Sequence, residues 1–322
     1  MARITTATPQ AIAEAASILR DGGLVGLPTE TVYGLAANAR DGKAVAKIFA
    51  AKGRPSFNPI IIHVASLEDA ETIGVFNDDA RAIATELWPG PITIILKKRE
   101  DSGISDLASA GLPTIAIRIP AHDIARAVIE QSGLPIAAPS ANASGTLSPT
   151  SAQHVAESLG EHVDLILAAG NSGVGLESTV LDLSGDEPVI LRPGAVTPDD
   201  IERVLGKKPA IDDGAHDKPK SPGQLLRHYA PATKLRLNAK GPEDGEAFLA
   251  FGPTMLTRAK LDPSVKNLSA NGDLHEAAAN LFSFLHDLDK GGYTMIAVSS
   301  IPDQGLGLAI NDRLKRAAGA QN

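Results

Sequence analysis

Short apolar runs alternate along this chain with longer stretches whose apolar residues recur at helical spacing. Thr8 can cap a helix that accepts Pro9 in its first turn, and Ile12, Ala15, Ala16 and Leu19 share one face before Gly22 and Gly23 stop it. Leu24 to Leu27 then makes a short strand running into Pro28. The pattern predicts further strands at Ile60–Val64, Ile92–Leu96, Ile115–Ile119, Ile136–Ala138, Leu165–Leu167, Val180–Leu183 and Val189–Leu191, with helices near 42–51, 66–73, 78–87, 121–132, 151–159 and 198–205. Several strands follow one another without a helix, so the expected fold is α/β with a twisted mixed sheet and flanking helices.

A second alternation begins after residue 231: strands Lys234–Leu237 and Phe248–Phe251, helix Leu274–Leu288, strand Thr294–Ser299 and helix Gly307–Ala318. It suits a small Rossmann-like α/β domain. Between Gly206 and Pro231 the chain turns to proline and charge with little apolar periodicity, as exposed linkers do. At 322 residues the length is about twice a typical ~150-residue domain. The organisation expected is therefore a domain over 1–206, a linker over 207–231 and a smaller domain over 232–322.

The net charge of −8 leaves no global basic field for nucleic acid or an anionic membrane, and 3% aromatic residues leave little for base stacking. Any anion site must be local. Absence of cysteine excludes disulfides, thiolate metal sites and cysteine nucleophiles. No apolar signal core follows Arg3 and no run reaches the 18 or more apolar residues of a membrane span, so a soluble cytoplasmic protein is the expectation. Phosphate-loop, dinucleotide, nucleophile-elbow and zinc-protease motifs are missing, and the eight histidines are too scattered for a helix-borne metal site.

Polar clusters instead follow the apolar strands, where open α/β sheets place ligand crevices. Thr29, Glu30, Thr31 and Tyr33 crowd the turn from Pro28 to Leu35, either facing a ligand or bonding their own backbone. Lys52 and Arg54 precede the strand of His63; they can aim at phosphate or lie solvated at a helix C-terminus, and His63 itself can be a core histidine. Arg118 alternates with Ile115, Ile117 and Ile119, so it points into a pocket or onto a solvated face. Ser140, Asn142, Ser144 and Ser148 suit close approach to an anion or helix capping, and Ser178 and Arg192 come from ESTVLDL and ILRPG. Cations and hydroxyls dominate this set, which points to anionic substrates carrying phosphate and carboxylate.

PTETVYGL, KGRP followed by NPIIIHV, TIAIRIP, APSANASG, ESTVLDL and LRPG together resemble, in order and spacing, the YrdC-like L-threonylcarbamoyladenylate synthases. SPGQLLRHYAP and GLGLAINDRLKRAAG are similar to the linker and C-terminal signature of their two-domain form. The resemblance implies a nucleotidyltransferase that makes threonylcarbamoyl-AMP and pyrophosphate from L-threonine, bicarbonate or CO2, and ATP with Mg²⁺, for tRNA threonylcarbamoyladenosine. It also implies site residues. Thr31, His63, Arg118, Ser178 and the Ala138 backbone look like the L-threonine site; Arg54, Asn58, Thr114, Ser140, Ser148 and Arg192 look like the ATP site, with Tyr229 closing over the nucleotide. Lys52 is expected to meet phosphate, Lys52 and Arg54 being the catalytic pair, and no protein-held metal is expected. The product would pass to a tRNA threonylcarbamoyl-transfer machinery. Rival readings are an RNA-binding module, and an adenylate-forming enzyme using carbamoyl phosphate.

Overall fold

A computed structural model describes residues 2–212, 229–253 and 262–319. The strands are β1 Arg3–Thr6, β2 Val25–Leu27, β3 Gly34–Asn38, β4 Ile62–His63, β5 Gly74–Val75, β6 Ile92–Lys98, β7 Thr114–Arg118, β8 Ile136–Ala137, β9 Leu165–Ala168, β10 Thr179–Asp182, β11 Val189–Arg192 and β12 Ala210–Ile211. Helices α1 Pro9–Arg20, α2 Gly42–Lys52, α3 Leu67–Glu71, α4 Asp78–Leu87, α5 Asp106–Ser109, α6 Asp123–Ser132, α7 Ala152–Leu159 and α8 Pro198–Leu205 are interleaved with them. Beyond the linker come β13 Leu235–Arg236, β14 Ala247–Ala250, β15 Val265–Asn267, α9 Leu274–Asp289, β16 Ile296–Val298 and α10 Gly307–Gly319.

Among the described residues, twelve strands form one sheet in the order β1-β9-β2-β3-β8-β4-β7-β6-β10-β11-β12, with β5 on β6. The sheet is mixed: β4 runs parallel to β7, and β7 antiparallel to β6. The second sheet, β13-β16-β14-β15, is wholly parallel, as expected of a small Rossmann-like unit.

Local chemistry accounts for the helices. Thr8 accepts the Ala11 N–H and caps α1, whose Ala11, Ile12, Ala15, Ala16 and Leu19 are buried. Thr197 and Asp200 make a reciprocal capping box at α8. One face of the large sheet is covered by a core that includes Ile48, Ile62, Ile83, Ile94 and Ile117, while α1 and α6 cover part of the other. The remainder of that second face carries only a small apolar cluster of Ile61, Ile95, Ala116, Val180 and Leu191. Strand alternation puts Arg118 on the same side as Ala116, and His63 on the same side as Ile61. This thinly covered area is where the site forms.

The C-terminal core is continuous with the N-terminal part. Val32, Leu147 and Leu176 join Leu281, Phe282, Leu285 and Ile310 in one buried cluster, and Tyr229 belongs to it. Within the segment read as linker, Ala210–Ile211 is in fact a strand, pairing in parallel with β11. Its sequence hides it because an exposed edge strand is held by main-chain bonds and needs no apolar alternation. Residues 213–228, which hold most of the expected linker including Arg227 and His228, lie outside the described residues.

Candidate active site

Arg118 and His63 are register partners on neighbouring parallel strands, which sets their side chains together on the open sheet face. Arg118 is 3% exposed, so the solvated-face alternative fails. Its Nε donates to the Gly90 carbonyl at 3.1 Å, its Nη1 to Thr31 Oγ1 at 2.9 Å, and its Nη2 pairs with Glu30. Burial works to raise the Glu30 pKa, but the charge and bonds of Arg118 outweigh it and hold that carboxyl below its usual range. Burial, reinforced by Arg118, pushes His63 down to about 3, so its imidazole is neutral, and its Nδ1 has no partner. In the turn above, Thr29 Oγ1 donates to Val32 O at 2.6 Å and so bonds its own backbone, whereas Thr31 Oγ1 accepts from Arg118. Tyr33 serves the fold, donating to Gly170 O at 2.7 Å.

A second group lies along the same pocket. Arg54 donates through Nε to Asn58 O at 3.3 Å and through Nη2 to Pro59 O at 2.8 Å, and burial lowers its pKa to about 10. Arg192, also lowered by burial, donates through Nη2 to Ser178 O at 2.9 Å and to Ser178 Oγ at 3.1 Å. Ser178 Oγ also meets Thr93 Oγ1 at 2.7 Å. Gly194 explains the glycine of ILRPG, since a Cβ there would lie 2.3 Å from Thr179 N and force the Arg192 strand away from Ser178. Tyr229 is fully buried with φ +65°, next to a parallel bridge between Thr146 and Ala230. Burial and Glu177 together raise its pKa.

These residues enclose one pocket, lined by side chains of both charged and apolar type. Thr31, His63, Arg118, Ala138, Ser178, Arg54, Ser140, Arg192 and Tyr229 all line it. Four expected residues do not. Thr114 stands at the far end of β7, on the Arg118 face. Asn58 is wholly buried with both amide atoms unpartnered. Ser148 Oγ bonds the Glu177 carboxylate at the edge of the C-terminal unit. Lys52 lies behind the pocket: its Nζ donates to Ser140 O at 2.6 Å and to Asn142 O, tying down the 138–145 loop, and burial with Arg54 nearby holds its pKa well below the lysine range.

Sequence reasoning noted Glu30 and Glu177 only in passing, yet both line or border the pocket and each pairs with an arginine. Their signal was adjacency to Thr31 and Ser178. Arg313 lies within GLGLAINDRLKRAAG, whose resemblance flagged the segment, but a lysine- and arginine-bearing helix end reads as solvated and gave no sign of its partner.

A family model described as "Telomere recombination" matches residues 17–194, and one described as "Threonylcarbamoyl-AMP synthase, C-terminal domain" matches 196–319. The threonylcarbamoyl-AMP synthase of Bacillus subtilis is 42% identical over 333 aligned positions, covering 99% of this chain and 95% of that protein. The chain belongs to the threonylcarbamoyl-AMP synthases. This family consists of transferases, and its Pyrococcus abyssi member is 40% identical over 95% of this chain and 93% of its own length. The crystal structure of Pyrococcus abyssi Sua5 complexed with L-threonine superposes with a TM-score of 0.89 at 39% identity, covering 100% of this chain and 98% of that one.

Proposed function

We propose that this threonylcarbamoyl-AMP synthase binds L-threonine at the Arg118 end of the pocket and ATP at the Arg54–Arg192–Tyr229 end. The observation that carries the assignment is the pairing of a cross-strand Arg118–His63 couple with a separate arginine pair lining the same pocket. Arg118 offers a charge-assisted contact to a carboxylate, Thr31 a hydroxyl beside it, and the neutral His63 and the Ala138 and Ser178 segment enclose the amino-acid side chain. Arg54 and Arg192 suit the phosphates, with Ser140, Asn58 and Thr114 toward the rest of the nucleotide and Tyr229 covering it. Ser148 acts through Glu177.

The threonine ammonium gives up a proton, bicarbonate takes up a proton and loses water to supply CO2, and the amine forms an N–C bond to that carbon while releasing its second proton to solvent, leaving a carbamate. The carbamate oxygen then attacks the α-phosphorus of ATP in line, the bond to the β-phosphate oxygen breaks, and pyrophosphate leaves. Charge crowding and alignment are the barrier, so the site works by holding two bound reactants together and spreading negative charge over arginine donors. Mg²⁺ enters with ATP as part of the substrate. Among the described residues no three His, Asp or Glu side chains gather to hold a metal, and Glu30 and Glu177 each pair with an arginine.

The adenylate is an activated acyl-type donor, and its consumer is the machinery that transfers threonylcarbamoyl to tRNA adenosine. No helix among the described residues is long and apolar enough to cross a membrane, and we place the enzyme in the cytoplasm with its tRNA-modifying partners. The catalytic domain is placed over 1–206 and the smaller domain over 232–322, with the intervening 207–231 lending strand Ala210–Ile211 to the first sheet. Purified chain with ATP, Mg²⁺, bicarbonate and L-threonine should release pyrophosphate only when threonine is present; equal release without threonine contradicts the reading.

A further inference from the structure

The C-terminal unit sends one charged side chain into the wall of the N-terminal pocket. Arg313, on α10, is 1% exposed. Its Nε donates to Glu177 Oε2 at 2.8 Å across 136 positions of sequence, its Nη1 donates to Asp312 at 2.7 Å, and its guanidinium stands 5.2 Å from the centre of the Tyr229 ring. Glu177 lines the pocket beside Ser178 and Arg192 and accepts a bond from Ser148 through its other oxygen. The two units meet closely here: Gly175 has φ +74°, and a Cβ on it would lie 2.5 Å from the Ala278 carbonyl of α9.

A carboxylate on the wall of a pocket built for a polyphosphate is electrostatically opposed to its ligand, and unpaired it would draw the Arg192 charge to itself. Burial alone would raise its pKa, yet the Arg313 and Arg192 charges keep it ionised. We propose that Arg313 is a positioning residue for the nucleotide. By neutralising Glu177 it leaves the fields of Arg54 and Arg192 directed at the phosphates, and by holding Glu177 it orients Ser148 and backs the Tyr229 ring. The C-terminal unit thereby completes the ATP end of the site without touching substrate. The threonine end, whose Arg118, Thr31, Glu30 and His63 all come from the N-terminal unit, does not depend on it. This inference rests on the assignment of ATP to the Arg54–Arg192 end.

The test is direct binding of a non-hydrolysable ATP analogue to the full chain by calorimetry, alongside KM values for both substrates. Arg313→Gln should weaken analogue binding at least tenfold and change the threonine KM less than threefold. Adding Glu177→Gln to it removes the uncompensated charge, and the double variant should bind within threefold of the unaltered chain. Lys290→Ala breaks an exposed ion pair to Glu157 elsewhere on the same interface and should leave binding within twofold. Should Arg313→Gln not fold by circular dichroism, the double variant, which buries no lone charge, carries the test. Unaltered analogue binding in Arg313→Gln, equal loss for both substrates, or a double variant more than tenfold weaker than the unaltered chain overturns the proposal. Analogue binding does not depend on turnover, so a failure of threonine-dependent pyrophosphate release is read separately.

Discussion

At one end of the pocket Arg118, Glu30, Thr31 and His63 come from two neighbouring strands and the turn above them; at the other, Arg54, Glu177, Arg192 and Tyr229 come from four separated segments, of which Glu177 and Tyr229 are held against α9 and α10. The first end is closed within one sheet, its guanidinium already bonded to a carbonyl, a hydroxyl and a carboxylate. The second is held across the domain boundary by Arg313 and Tyr229. Register fixes the first and docking the second, so changes at the two ends should separate in substrate dependence.

The largest separation should come from Arg118→Ala. Loss of a charge-assisted contact worth roughly 1.5–3 kcal/mol should raise the threonine KM by about 10- to 150-fold and the ATP KM far less. Glu30 would be left buried without its partner, and the accompanying stability loss should be eased in an Arg118→Ala/Glu30→Gln variant, measured by urea unfolding. Equal rises in both KM values would mean that the ends are not independent.

His63 sharpens the same comparison through pH. Its pKa falls from 6.5 to about 3 on folding, so between those values the unfolded chain binds more protons than the folded one. Stability is therefore full above pH 6.5 and declines as pH drops toward 3, with a slope from this group of up to about 1.4 kcal/mol per pH unit. His63→Gln should flatten that decline. An unchanged slope in the variant would remove His63 from the acid limb.

Smaller effects should follow from Thr31→Val, which loses the hydroxyl that accepts from Arg118 Nη1 and should raise the threonine KM about fivefold, equivalent to ~1 kcal/mol, with ATP unaffected. Lys290→Ala should cost well under ~1 kcal/mol of stability, because the pair it breaks is exposed.

Much of this was legible in the chain. The strand pattern placed β6, β7, β10 and β11 to within a few residues, and strand-end clusters supplied Thr31, Arg54, His63, Arg118, Ser140, Ser178 and Arg192 of the pocket lining. What escaped has physical causes. Gly34–Asn38 is built of Gly, Leu, Ala and Asn, poor strand formers individually, and becomes a strand because neighbours pair with it on both sides. Arg3–Thr6 is mostly exposed and shows no apolar face. Ile60 and Ile61 continue the apolar run of β4 but lie outside the strand; the Ile60 N–H bonds Ala108 O. Lys52 could be assigned to a motif, but which atoms its ammonium meets depends on where the 138–145 loop returns, 88 positions later. The pairing of Glu177 with Arg313 is longer in range still, and no local pattern announces it.

The two-ended pocket is tested most directly by a crystal structure of the full chain with L-threonine and a non-hydrolysable ATP analogue bound together. The account predicts the threonine carboxylate within hydrogen-bond distance of Arg118 and the triphosphate beside Arg54 and Arg192 under Tyr229. A triphosphate on Arg118, or a threonine lying against Arg54 and Arg192, would contradict it.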